Sequence, residues 1–297
     1  IARSASDSST FDWYFFGHGS DYAGALQDFV ALSGPIPLLP PAAHGVWISR
    51  WWPDTDRTLL AKLDTYTDQR VPVSVMMLDM DWHYTSYDSA WRQFQHDEAN
   101  QQANWTGYTF DPNRFPDPKK FHERVHQRGV MTGINLHPGS GILKHEECYS
   151  AMKEKLGMAN DGLHIPFDMS SKHYFDALSE VCLKPIADQG AGFWWLDYQQ
   201  GEEEHVEGVS PTLQTTIQHW HKAQFPDSFG HQGNKGRAMV LARWGGLGGH
   251  RYPVGFSGDA FGSWDTLKFQ VYFTATAANV GFGYWSHDIG GFIPKPS

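Results

Sequence analysis

Seven short apolar runs recur along this chain, and nearly every one ends in a carboxylate, a histidine or an arginine. The runs are 45–49, 73–78, 130–136, 193–196, 239–242, 254–256 and 282–285. Each is rich in β-branched or aromatic residues and too short for a buried helix, so each reads as a buried strand. Helical stretches lie between most of them, at 57–69, 118–128, 172–187, 213–223 and 266–278. Asp56 and the Asp117-Pro118 pair punctuate the starts of two of these helices. Buried strands alternating with helices describe parallel β/α units. No GxGxxG turn follows the first strand, which favours a (β/α)8 TIM barrel over a doubly wound sheet. Only seven strand candidates are present, so the α/β barrel reads as stopping before an eighth.

The polar residues at the strand ends narrow the function. They are Arg50, Asp79 with Asp81, His137, Asp197, Arg243, Asp259, and His287 with Asp288. A barrel collects its active-site groups at the C-terminal ends of its strands. One such residue alone would be read as a cap or a turn residue; repeated around seven strand ends, among Trp, Tyr and Gly, they describe a pocket. Carboxylates and arginine hold hydroxyls while tryptophan faces stack on C–H surfaces, so a neutral polyol suits it. The Gly-rich stretch from Arg243 to Trp264 is no phosphate loop, because it lacks the GK[ST] ending.

Composition excludes other classes. At 40% hydrophobic and 19% charged over 297 residues, the chain is neither disordered nor fibrous. The formal net charge of −10, without a basic run, argues against nucleic acid and anionic membranes as partners. No apolar run approaches the roughly 20 residues that cross a bilayer. Cys148 and Cys182 are too few for a disulfide scaffold or a clustered zinc site. The 16 histidines raise the possibility of a metal-dependent barrel hydrolase, but His145-Glu146-Glu147 lacks a second histidine, and His219 and His221 sit two apart on a helix and cannot share a face. His122 and His126 are expected on the solvent face of their helix, and neither a metal nor any other cofactor is expected. The first residue is Ile1, no leader is evident, and the compartment is left unassigned.

Three segments carry a family resemblance: GFWWLDYQQG (192–201), RYPVGFSGDAFGSW (251–264) and YWSHDIGGF (284–292). They resemble signature segments of glycoside hydrolase family 31. LDMDWHYTSY (78–87) resembles that family's second-strand segment, and the run 109–139 resembles its approach to strand three. The run 21–52 resembles its link from an N-terminal β-sandwich into the barrel. The resemblance implies residues 1–41 as the end of an N-terminal region with a Pro-rich linker, and 42–297 as an incomplete catalytic barrel. Remaining domains of a longer polypeptide are then expected.

The resemblance also implies roles: Asp197 as nucleophile, Asp259 as acid/base, and Asp79, Arg243 and His287 as ligands of the terminal sugar. Asp288, Trp195, Trp264 and Trp51 are expected in or behind the pocket wall, with one ring of each Trp51-Trp52 and Trp194-Trp195 pair packing inward. A retaining glycosidase needs one ionised and one protonated carboxyl. Arg243 would keep Asp197 ionised, and Phe261 and Trp264 would keep Asp259 protonated. The chain departs from the family pattern at Tyr198, Gln199 and Gln200, and at His137, where an Asp is usual. These changes suit a different sugar substituent. The implied activity is a retaining exo-α-glycosidase, α-glucosidase-like, acting on an oligosaccharide or glycoside. An α-xyloside, α-galactoside or N-acetyl-α-galactosaminide remains open as substrate, as does a non-catalytic carbohydrate-binding protein.

Overall fold

The computed structural model describes residues 13–83, 105–159, 164–197, 206, 209–224, 237–243 and 246–294. The sequon at Asn104, the residues Tyr198 to Gln200 and the acidic stretch Glu202–Glu204 lie outside them.

Seven parallel strands form one sheet: β1 (Val46–Ile48), β2 (Val73–Leu78), β3 (Met131–Leu136), β6 (Phe193–Leu196), β7 (Val240–Ala242), β8 (Gly255–Phe256) and β9 (Trp285–Ser286). They neighbour one another in chain order, without the reversal that marks a doubly wound sheet. The order and the all-parallel pairing are those of a TIM barrel opened between β9 and β1, and no described strand joins these two edges. Two short antiparallel strands, β4 (Ile142–Leu143) and β5 (His164–Ile165), form a flap beyond the end of β3. The flap carried no distinct signal in the sequence. Residues 13–16 contain no strand of a β-sandwich.

Helices cover the outer face. They are α1 (Tyr22–Ser33), α2 (Asp56–Asp68), α3 (Pro118–His126), α4 (Tyr149–Lys155), α5 (Lys172–Leu178), α6 (Lys184–Asp188), α7 (Pro211–Ala223) and α8 (Trp264–Ala277). Helix α2 begins at a capping box in which Thr55 and Thr58 satisfy each other's backbone amides, so Asp56 sits in the first turn and is not the cap. Asp117 caps α3 ahead of Pro118 as expected. The expected continuous helix 172–187 is interrupted by a π-turn, Ser179–Leu183, where Pro185 cannot donate to the helical ladder.

The strands are apolar on both faces because each face meets a different layer. Along β6, Phe193 and Trp195 belong to an inner cluster, while Trp194 and Leu196 belong to an outer one beneath the helices. Along β2, Val75 and Met77 point inward, and Met76 and Leu78 outward. This is the period of two expected of a strand. The inner cluster also takes in Leu39 from the Pro-rich stretch, whose carbonyl accepts from Arg237 Nη1 at 2.9 Å. That stretch is therefore packed into the barrel floor.

Two expectations are corrected, and one pairing is added. His122 is fully buried, and its Nδ1 lies 3.0 Å from Thr132 Oγ1 on β3, so this face of α3 turns toward the sheet. Burial pushes His122 down to about 3 and lowers His126 as well. Trp52 does not pack inward; it is half exposed, with the Arg50 guanidinium 4.3 Å from its ring centre. Cys148 and Cys182 form a disulfide, with Cα atoms 5.3 Å apart, that ties the start of α4 to the π-turn. The pair alone did not reveal this, because the two lie 34 residues apart in sequence.

Candidate active site

Strand parity carries the polar residues into the barrel mouth. Continuing the inward positions of β2 leads to Asp79, those of β6 to Asp197, and that of Leu241 on β7 to Arg243. On β3 the same parity selects Asn135 and His137. All these strands run in one direction, so their C-terminal ends share one rim. A cleft of about 1020 Å³ opens there. Among its walls are Asp79, His137, Asp197, Arg243, Asp259, His287 and Asp288, together with Trp51, Trp105 and Trp195.

Asp197 lies at the centre and is 5% exposed. Arg243 Nε donates to its Oδ1 at 2.5 Å, and Arg243 Nη2 donates to Asp259 Oδ1 at 2.9 Å. One guanidinium thus spans both carboxylates. The other oxygen of Asp197 accepts from Asn135 Nδ2 at 3.1 Å and lies 3.3 Å from His137 Nε2. Burial alone would raise the Asp197 pKa, but His137 and Arg243 outweigh it and hold the group down to about 2. Asp259, by contrast, keeps over a third of its side chain exposed to the cleft.

Asp79 is surrounded differently. Its Oδ1 accepts from the Met80 amide at 2.7 Å, and Asp197, Asp81 and Asp259 all add negative potential. Burial, reinforced by these neighbours, pushes it up to about 8. Asp288 is also raised, by burial and then by Asp259. One rim therefore holds a strongly acidic carboxyl beside carboxyls that retain their protons more readily. His287 Nε2 is 2.7 Å from Thr274 Oγ1 on α8, which orients the ring at the cleft wall; burial lowers its pKa.

The aromatic walls are partly as expected. Trp195 lines the cleft and meets Phe256 edge-on at 5.5 Å, while Trp194 packs outward in the core. Trp51 lines the mouth, stacked with Phe292 at 6.2 Å. Trp264 does not join them: it begins α8, is 85% exposed and is absent from the walls. Phe261 is likewise half exposed, so neither ring shields Asp259. Ser263 caps α8 from the preceding loop and turns the residue after it onto the outer helical layer.

Several cleft residues escaped the sequence reading. Asn135 was signalled by parity, standing two residues before His137. Trp105 carried no signal, and neither did Thr274, which reaches the cleft only through His287, because non-local folding brings them there. Gly258 has φ +72°, and a Cβ there would press on the Arg243 guanidinium.

Among the described residues no group of three or more His, Cys, Asp or Glu is arranged to hold a metal ion, and no helix is long and apolar enough to cross a membrane.

Comparison with known proteins agrees with this architecture. The model of the glycosyl hydrolases family 31 TIM-barrel domain matches residues 36–297. An alpha-xylosidase of Saccharolobus solfataricus is 24% identical over 296 residues, an alignment covering 94% of this chain and 37% of that protein. Human neutral alpha-glucosidase C is 23% identical over 306 residues, covering 94% and 31%. Among solved structures, a family 31 α-xylosidase from a soil metagenome superposes with a TM-score of 0.68 at 22% identity, covering 92% of this chain and 40% of that one. A family 31 α-glucosidase from Bacteroides thetaiotaomicron superposes at 0.66 and 21%, covering 92% and 45%. This chain thus spans less than half the length of each of these relatives. Strand order, cleft position and the matched model lead to one assignment: the chain belongs to glycosyl hydrolase family 31, through that family's TIM-barrel domain.

Proposed function

We propose that the protein is a retaining exo-α-glycosidase, with Asp197 as nucleophile and Asp259 as acid/base. The observation that carries this reading is the single guanidinium of Arg243 bonded to both carboxylates. Two carboxylates bonded to Nε and Nη2 of one guanidinium are close neighbours across the cleft. That favours the spacing of about 5–5.5 Å in retaining enzymes over the roughly 6.5–9.5 Å of inverting ones.

In the first step Asp197 Oδ attacks the anomeric carbon as the glycosidic bond breaks, and Asp259 passes its proton to the leaving oxygen. In the second, Asp259 takes a proton from water, which displaces Asp197 from the sugar. The low pKa of Asp197 supports the first role, because it is ionised across the working range. Asp79, pushed up to about 8, is a candidate donor to a sugar hydroxyl near neutral pH. Arg243, His287 and Asp288 would hold further hydroxyls, and Trp51 and Phe292 would stack on the substrate at the mouth. The names of the relatives point first to α-glucosides and α-xylosides. Further domains of a longer polypeptide belong to the same proposal, since the matched relatives are more than twice as long.

The test is a panel of p-nitrophenyl α-glucoside, α-xyloside, α-galactoside and N-acetyl-α-galactosaminide, run with the intact protein. One glycoside should be hydrolysed. Asp197→Ala and Asp259→Ala should each lower kcat by roughly 10²-fold or more. Azide should restore turnover of Asp197→Ala as a glycosyl azide of opposite anomeric configuration. Hydrolysis that survives both substitutions would overturn the assignment.

A further inference from the structure

His137 lines the cleft, and its imidazole is paired with the proposed nucleophile. It follows the end of β3, is 5% exposed, and places Nε2 3.3 Å from Asp197 Oδ2. Its backbone is fixed from the other side: its carbonyl accepts from the Thr106 hydroxyl, which in turn accepts from the Ser140 amide at 3.2 Å. Trp105, the residue before Thr106, meets the imidazole edge-on at 5.7 Å. The ring is therefore held between an aromatic wall and a carboxylate.

The same carboxylate oxygen accepts from Asn135 Nδ2, and the Asn135 carbonyl is itself anchored by Trp82 Nε1 at 2.8 Å. Two residues of one strand, both on its inward parity, thus converge on Oδ2, while Arg243 from β7 holds Oδ1. A carboxylate gripped at both oxygens from two strands has little freedom about χ2.

We propose that His137 is a positioning residue: it acts through Asp197, holding the nucleophile's carboxylate oriented for attack, and does not act by gripping the sugar. The proposal rests on the functional reading above.

The consequence is legible in pH dependence. The groups around Asp197 are His137 after β3, Arg243 after β7, Asp79 after β2 and Asp288 after β9, with Asp259 bonded to the same Arg243. Asp197 raises Asp79 and Asp288, while His137 and Arg243 lower Asp197 itself. Removing His137 takes away one of the two groups, with Arg243, that lower Asp197. The acidic limb of the kcat/KM profile then moves to higher pH.

The experiment compares the intact wild-type protein with His137→Leu and His137→Gln, on whichever α-glycoside the wild type hydrolyses. His137→Leu should lose about tenfold or more in kcat, hold KM within about twofold, and raise the acidic limb by about one pH unit, the size of one lost charged or hydrogen-bonded partner. His137→Gln, which keeps an N–H donor, should recover part of both losses. A rise in KM of about tenfold with the acidic limb unmoved would overturn the proposal and make His137 a sugar ligand. Imidazole nitrogen NMR supplies a readout that needs no turnover and no His137 variant. The His137 Nε2 resonance should shift in Asp197→Asn, which alters the group 3.3 Å from it; an unchanged resonance would overturn the pairing itself. Absence of any wild-type hydrolysis would overturn the functional reading and the positioning role together, with the NMR result still reporting whether the pair exists.

Discussion

At the scale of single residues, Arg243 has the widest reach in the cleft. Its planar fork bonds two carboxylates in different directions, and its Cζ lies 5.1 Å from the centre of the Phe256 ring. A lysine ammonium is a point charge on a flexible stem and cannot reproduce that geometry. Arg243→Lys should therefore lower kcat/KM by roughly 10²-fold or more, comparable to losing one preorganised donor. The sign of the pH effect follows from the same contacts. Burial raises the Asp197 pKa, while His137 and Arg243 lower it to about 2. Weakening Arg243 removes a lowering influence, so the acidic limb should move upward in a pH–rate profile. An unchanged profile would separate Arg243 from the ionisation of Asp197. Asp197, Asp79 and Arg243 were legible because each follows a strand on its inward parity, and Asp259 because it stands just beyond the next one. Trp264 misled because its sequence neighbourhood matches the acid/base segment, whereas the helix it begins carries it outward to 85% exposure.

At the scale of elements, α3 and β3 show what strand and helix periodicity can and cannot convey. Phe121, His122 and Val125 form the buried stripe of α3, and a histidine in such a stripe reads as polar in any hydropathy pattern. In place it is a neutral core residue bonded to Thr132. Its folded pKa, about 3, lies below the ordinary value of 6.5. Its contribution to stability is then complete above about pH 6.5 and is lost as pH falls toward 3. The buried His219 of α7, lowered to about 4, acts in the same direction. Chemical denaturation between pH 7 and 4 should show stability falling by up to about 1.4 kcal/mol per pH unit for each such histidine. His122→Asn keeps a hydrogen-bonding atom near the Nδ1 position and cannot titrate. It should flatten that slope, whatever it costs in stability at pH 7.

For the whole molecule, the disulfide and the open sheet matter most. Cys148 and Cys182 close a loop of sequence separation 34 on the helical layer. Constraining the unfolded chain over that length contributes about 3–4 kcal/mol in the chain-entropy account. Urea unfolding with and without reductant should show a loss of that order, and a Cys148→Ala, Cys182→Ala double variant should match the reduced protein. Equal midpoints would place the stabilisation elsewhere. At the same scale, the sheet edges β1 and β9 are only partly covered, and α8 has no buried residue. The cleft runs on between these edges, with Trp47 and Tyr284 among its walls.

The order of strands, the helices between them and the C-terminal placement of the polar groups were set by the sequence itself. Those properties follow from period-two and period-3.6 patterning and from turn chemistry, all of which act over a few residues. Only the tertiary structure decided which groups meet. Asp197 takes Arg243 from 46 residues away and Asn135 from 62, and Thr106 reaches the His137 carbonyl across 31. The same folding buried His122, exposed Trp264 and paired the two cysteines. Such contacts depend on sheet closure and loop paths, which bring together segments whose local sequences carry no record of one another.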